Sequence, residues 1–327
     1  MTLKGSATEP RFESVVQELY GISLRTPWPV RGVAGRTSGP WDVQFVEGDG
    51  DTFSAASRLI PPDQQSNWAQ YAALPDGSRY RRWANLLEFL VSPDGRHISA
   101  RALSANEEAF QAYLLVDALS YAMVRLGREP LHATAVLTDR GVAAFIGASG
   151  RGKSTLGALF VHGGSPLLTD DMLILTEKGD AFLAHPGPPR IKLYRTIANR
   201  IFGDSCMGVP MNPATEKLIL PLDRQQAARR PAPLAAIYLI DEDGGHRRDR
   251  QPHIRRLSPA LALPRILAGT AGHRADDPAR LARQFEFVTR LVTRVPIKAL
   301  AYDRDEGDMF RVRDAVLADV ARVAGAR

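Results

Sequence analysis

The octet Gly147-Ala148-Ser149-Gly150-Arg151-Gly152-Lys153-Ser154 constrains this chain more than any other stretch of it. It spells G-x-x-x-x-G-K-[ST], a loop whose glycines let successive backbone N–H groups turn inward on a phosphate. The helix such a loop opens adds the positive end of its dipole, Lys153 can reach terminal phosphate oxygens, and Ser154 can ligate Mg2+. Lysine is scarce, confined to Lys4, Lys153, Lys178, Lys192, Lys217 and Lys298. Composition alone therefore produces such an octet in about 0.5% of shuffled sequences.

The flanking residues supply the context the loop requires. Residues 131–137, LHATAVL, and 142–147, VAAFIG, read as two strands joined by a tight turn in which Gly141 can take a positive φ. STLGALFVHGG has helical spacing and stops at Gly163-Gly164, and PLLTDDMLILT reads as one further buried strand. HPGPPRIKLY, AAIYLID and VPIKALAYD predict more strands, and PARLARQFEFVTRLVTR and FRVRDAVLADVARV predict amphipathic helices. Upstream, residues 106–127 carry Phe110, Leu114 and Tyr121 on one helical stripe, with acids in the first turn and Gly127 as a stop; this helix is expected to pack beneath the strands that follow. Residues 1–104, rich in Gly, Pro and Trp with Pro-Asp-Gly turns at 75–77 and 93–95, predict a small α+β region without a catalytic motif.

Composition narrows the classes. With 327 residues, 44% of them apolar, the chain can bury a proper core. The formal charge of +6 comes from arginines interleaved with acids, which reads as a solvated surface; nucleic acid is not the expected partner, and an acidic or phosphate partner for the stretch Arg224 to Arg256 is the alternative. The lone Cys206 excludes an internal disulfide and a cysteine zinc site and fits a reducing cytoplasm, the expected compartment. The apolar run around Ala109 to Leu126 is broken by Asp117 and Arg125, so no membrane span is expected.

A phosphate loop alone does not specify a reaction. Neither an LSGGQ-like signature nor an NKxD-like base reader is present. Asp170-Asp171, which begins 16 residues after Ser154 at the end of Leu167-Leu168-Thr169, offers two carboxylates for the two tasks phosphoryl transfer needs, holding Mg2+ and accepting a proton. A second candidate metal acid is Asp241, which ends the apolar run Ala236-Ile237-Tyr238-Leu239-Ile240.

Residues 131–175, with Leu131-His132, the phosphate loop and the Asp-Asp pair in register, resemble the catalytic core of HPr kinase/phosphorylase and its kinase-like relatives, including those associated with lasso-peptide biosynthesis. HPGPPRIKLY, Thr215-Glu216-Lys217 and VPIKALAYD are more weakly similar, which extends the resemblance over residues 105–327. It implies an α/β fold related to the nucleotide-binding core of phosphoenolpyruvate carboxykinase, a mixed sheet flanked by helices, and transfer of the γ-phosphoryl group of ATP, with Mg2+, to a serine hydroxyl. Under it Lys153 binds the β/γ phosphates, Ser154 ligates the metal, Asp170 is the base and Asp171 helps hold the metal. His132 approaches the phosphates or orients a carboxylate, Arg190 and Lys217 are candidate clamps on the transferred charge, and Asp241 is left as the polar end of a buried strand. Thr155 stands where HPr kinases proper have Glu, and the glycine-rich signature of the reverse phosphorolysis is missing, so a kinase-only relative is expected. The expected acceptor is a peptide or small protein, such as the precursor of a ribosomal natural product, met by a homo-oligomer whose first hundred residues recruit it. A small-molecule alcohol kinase and a nucleotide-gated regulatory ATPase using Asp241 are the alternatives.

Overall fold

The computed structural model describes residues 14–204, 206–240, 251–270, 277–303 and 309–325; Asp241 lies outside the described residues. These residues form a mixed α/β structure of three sheets with helices packed between and around them.

The first sheet has eight strands in the order Gly35–Arg36, Val15–Leu19, Ile22–Thr26, Val43–Glu47, His97–Ala102, Leu87–Val91, Arg79–Trp83, Ala69–Ala73. Its turns follow the local sequence. Val15–Leu19 and Ile22–Thr26 are joined by Tyr20 and Gly21, both at positive φ (55° and 72°), the two-residue hairpin whose twist matches that of the strands. Both Pro-Asp-Gly turns close antiparallel pairs, with Gly77 and Gly95 at positive φ.

The predicted helix after Asn106 forms as one rod in three parts, Glu107–Tyr113, a π-helical turn Leu114–Ala118, and Leu119–Arg125. The Asn106 side chain caps it by accepting from the Ala109 N–H, and Gly127 ends it at φ 74°. Its apolar stripe goes chiefly to the first sheet: Phe110, Leu119 and Met123 share a core with Leu24, Phe45 and Phe89, while Met172, Ile174 and Ile219 join from the second half. Tyr121 is half-buried at the margin of that core.

In the second sheet Leu167–Thr169, Ala133–Thr138, Gly141–Ile146 and Ala232–Ile240 lie side by side, and Ile297–Ala301 runs parallel to the last of these. Ala133–Thr138 and Gly141–Ile146 form the antiparallel hairpin expected from the sequence, with Gly141 at φ 113°. The central strands are apolar on both faces because helices cover both. Leu156, Phe160, Val312 and Val316 from Lys153–His162 and Met309–Gly325 pack on one face, and Ile266, Val288 and Leu291 from Pro259–Ala268 and Pro278–Arg294 pack on the other. A third, antiparallel sheet of Arg190–Tyr194, Thr215–Pro221 and Val209–Asn212 sends Ile191 and Leu218 into the core beneath helix Lys153–His162. Among the described residues, no helix is long and apolar enough to cross a membrane.

One sequence expectation is corrected. PLLTDDMLILT is not a single strand; it forms Leu167–Thr169 and Leu175–Lys178, separated at the acid pair. The break is a γ-turn: the Met172 N–H donates to the Asp170 carbonyl (3.0 Å) across Asp171, which sits at φ 71°. In an unbroken strand successive side chains point to opposite faces. The turn cancels that alternation and lets two adjacent carboxylates serve one region.

Candidate active site

The strand Gly141–Ile146 runs into the glycine loop, and helix Lys153–His162 leaves it. Gly150 and Gly152 take positive φ (77° and 90°), a conformation side chains resist, so the loop's spelling follows from its path. Gly152 is the N-cap and supplies no side-chain acceptor, which leaves the first N–H groups of the helix to a ligand. Ala148, Ser149 and Gly150 are exposed, while Gly147, Arg151, Gly152, Ser154 and Thr155 are half-buried. Lys153 is buried, and its ammonium donates to the carbonyls of Gly147 (2.8 Å) and Ala148 (3.2 Å), so it lies across the loop it is expected to serve. Burial lowers its pKa, and the charges of Asp171 and Asp170 oppose that shift.

Asp170 is enclosed. Its Oδ1 accepts from the Thr134 hydroxyl (2.6 Å) and the Ser154 hydroxyl (2.9 Å), and its Oδ2 accepts from the Lys192 backbone N–H (3.1 Å). Burial, and then the neighbouring charge of Asp171, raise its pKa. Asp171 sits differently. Its side chain is about a fifth exposed, and its Oδ2 lies 2.6 Å from the Lys192 ammonium. Burial alone would raise the pKa of this group too, but the Lys192 charge and hydrogen bond outweigh it and hold Asp171 down at about 2. The His132 Nδ1 lies 2.9 Å from the Asp171 carbonyl oxygen and so pins the backbone of the turn.

Sequence reasoning missed two members of this cluster, Lys192 and Thr134. Lys192 had a faint signal, as one of six lysines and set between apolar residues in a strand, Ile191-Lys192-Leu193. Thr134 had none, because only strand pairing brings it to Asp170. Each of the two expected clamps has a contact outside the glycine loop. The Arg190 guanidinium is buried, donates to the Gln111 carbonyl (3.0 Å) and lies 3.8 Å from Glu108, so it braces the helix after Asn106. Lys217 is half-buried with its ammonium 5.3 Å from the centre of the Tyr194 ring, near enough for its charge to be felt at Asp171 and Lys153.

A cavity of about 1700 Å3 opens beside these groups, and Lys153, Ser154 and Asp170 are not among its lining residues. Its lining takes in His132, residues 147–149, Asp171 and Lys192 from the second half of the chain. The first half contributes strand Arg79–Trp83 and the helical rod that ends at Arg125. Asp170 does not reach it; of the acid pair, only Asp171 does.

A scan against protein-family models finds no match, and a search of curated proteins finds none either. Among solved structures, the HPr(Ser) kinase/phosphatase from Coxiella burnetii aligns with 61% of this chain and 99% of its own, at 9% sequence identity and a TM-score of 0.34. A likeness of that size carries no argument about what this chain does.

Proposed function

We propose that this protein is a kinase that transfers the γ-phosphoryl group of ATP to a serine hydroxyl of a peptide or small protein. The observation that carries the reading is the hydrogen bond from Ser154 of the glycine loop to Asp170, 2.9 Å, with Asp171 beside it at the cavity wall. A phosphate loop is thereby joined to a carboxylate pair in which one member is enclosed and the other faces the space where an acceptor would lie.

Magnesium fits the donors. Ser154 and Asp170 offer hard oxygen ligands in contact, and among the described residues no cluster of three or more His, Cys, Asp or Glu forms a complete protein cage. That suits an ion held by one or two side chains together with substrate phosphates. When bound, the ion would neutralise charge on the phosphates. The chain's own groups do the rest: the loop N–H groups and Lys153 hold the phosphates, and Asp171 orients the acceptor hydroxyl. The serine oxygen bonds to the γ-phosphorus as the bond to the bridging oxygen of the β-phosphate breaks, ADP departs, and the hydroxyl proton passes to Asp171. Transition states of this kind are loose, so an orienting carboxylate serves even when it is weakly basic. This division of labour exchanges the roles the family resemblance implies for Asp170 and Asp171, because only Asp171 opens onto the cavity.

At about 1700 Å3 the cavity exceeds the roughly 300–1,000 Å3 of pockets for one small ligand or cofactor, which leaves room for an acceptor beside the nucleotide. The test is transfer of label from γ-labelled ATP, with Mg2+, to serine peptides by the wild type and by Lys153→Ala and Asp171→Asn. Label on serine that both variants abolish supports the kinase; ATP hydrolysis with no labelled acceptor, unchanged in Asp171→Asn, would sink it.

A further inference from the structure

We infer that the part of the cleft built by the first sheet and its helix selects acceptor segments that carry negative charge; this rests on the kinase reading above and adds to it the chemistry of the substrate. The cavity lining holds seven arginines and lysines against four aspartates. Internal pairing accounts for some of them: Arg81 with Asp117 (3.0 Å), Lys192 with Asp171 (2.6 Å), and Arg280 with Glu129, which is buried behind the wall (3.4 Å). On the wall built by the first half of the chain, Arg79 and Arg125 have no carboxylate within ion-pair distance among the described residues, and Asp63 is the one lining acid there outside the Arg81–Asp117 pair, so that wall keeps an excess of positive charge.

Position adds to the count. Arg79 lies on strand Arg79–Trp83 and Arg125 at the end of the helical rod, two elements whose other cavity residues include the aromatic rings of Trp83 and Tyr121. The Arg81 guanidinium lies 4.6 Å from the centre of the Trp83 ring, so this wall is a cationic and aromatic surface with its framework charges already paired. In a concave site with low-dielectric walls such an excess focuses its field on whatever enters. The loop and helix N-terminus already serve the nucleotide's phosphates at the other wall, so the charge on this wall is directed at the acceptor. Together with a volume that accommodates several residues, the occupant it fits is an extended acidic peptide with the serine presented to Asp171.

The experiment compares fluorescent serine peptides identical except for Glu, Gln or Lys on both sides of the serine. Binding is read by anisotropy in the presence of a non-hydrolysable ATP analogue and Mg2+, and γ-phosphoryl transfer is read in parallel with ATP. The proteins are the wild type, the double variant Arg79→Glu/Arg125→Glu, its milder counterpart with Gln at both positions, and Arg140→Glu. Arg140 is exposed at the turn between Ala133–Thr138 and Gly141–Ile146, at the opposite end of the strand from the glycine loop, so its variant controls for net charge alone. The Glu peptide is expected to bind roughly tenfold tighter than the Lys peptide, the preference to shrink from about 50 to about 500 mM salt, and both double variants, but not Arg140→Glu, to lose it. Equal binding of the three peptides, no binding of any, or displacement of the Glu peptide by an oligonucleotide of equal charge at lower concentration overturns the inference. Transfer to all three peptides regardless of charge keeps the kinase and removes the acidic specificity; charge-selective binding without transfer keeps the specificity and removes the kinase.

Discussion

The hydroxyl of Ser154 and the carboxylate of Asp170 meet at 2.9 Å, joining the first turn of helix Lys153–His162 to the end of strand Leu167–Thr169. Asp170 also binds Thr134 and the backbone of Lys192, so it is held by three elements and has little freedom to move. Asp171, one residue on, is carried by a γ-turn to the cavity.

That difference separates two variants that chemistry alone would treat as equivalent. Asp171→Asn is expected to lower kcat by a factor of about 10^2–10^4 while leaving nucleotide affinity close to that of the wild type. Asp170→Asn and Ser154→Ala are expected to raise the Mg2+ concentration needed for half-maximal rate. Mg2+ titrations of γ-phosphoryl transfer check this, and an unchanged Mg2+ requirement in Asp170→Asn would return the metal to Asp171.

Lys192→Met leaves Asp171 semi-buried without its counter-charge, and the expected loss of stability near neutral pH is about 3 kcal/mol. The sign with pH follows from the direction of the shift. Asp171 is depressed from its ordinary 3.8 to about 2, so its pairing stabilises the fold above the unfolded value and that stabilisation is lost as pH falls through the folded one. Urea unfolding at a series of pH values should therefore show wild-type stability falling on the acid side and the gap to the variant narrowing there, because Asp171 protonates first in the variant. In the same variant the acid limb of the rate profile should move to higher pH, because Lys192 is what keeps Asp171 ionised.

Arg190 separates a bracing role from a phosphate clamp. Its bond to the Gln111 carbonyl is buried, so Arg190→Met is expected to cost about 1–3 kcal/mol of stability with nucleotide affinity unchanged. Thermal unfolding and binding of a labelled ATP analogue test both halves. A weakened nucleotide affinity at unchanged stability would restore the clamp.

Gly157 lies in helix Lys153–His162, where a Cβ would come within 2.6 Å of the Thr134 methyl and 3.2 Å of Leu167. Gly157→Val should push the helix from the strand and cost about 1–3 kcal/mol by overpacking. Because Thr134 holds Asp170, the displacement should also reduce transfer activity in protein that remains folded, measured by residual rate per folded molecule.

What the sequence determined by itself was local structure whose residues carry a strong conformational demand. The glycine spacing from Gly147 to Gly152, the strand before it and the helix after it were legible because positive φ at Gly150 and Gly152 is a local demand that glycine alone meets without strain. The hairpin at Gly141 and the turns at Gly77 and Gly95 were legible for the same reason. Tertiary structure decided the partners. Thr134 reaches Asp170 across 36 positions, and Lys192 reaches Asp171 across 21, through strand pairing and helix packing that no local pattern encodes. The γ-turn at Asp171 was hidden because an apolar run reads as one strand until packing breaks it, and Asp tolerates left-handed backbone without advertising it. The helix after Asn106 shows the same limit: its stripe and caps foretold a helix, but only the assembled core decided that most of that stripe would face the first sheet.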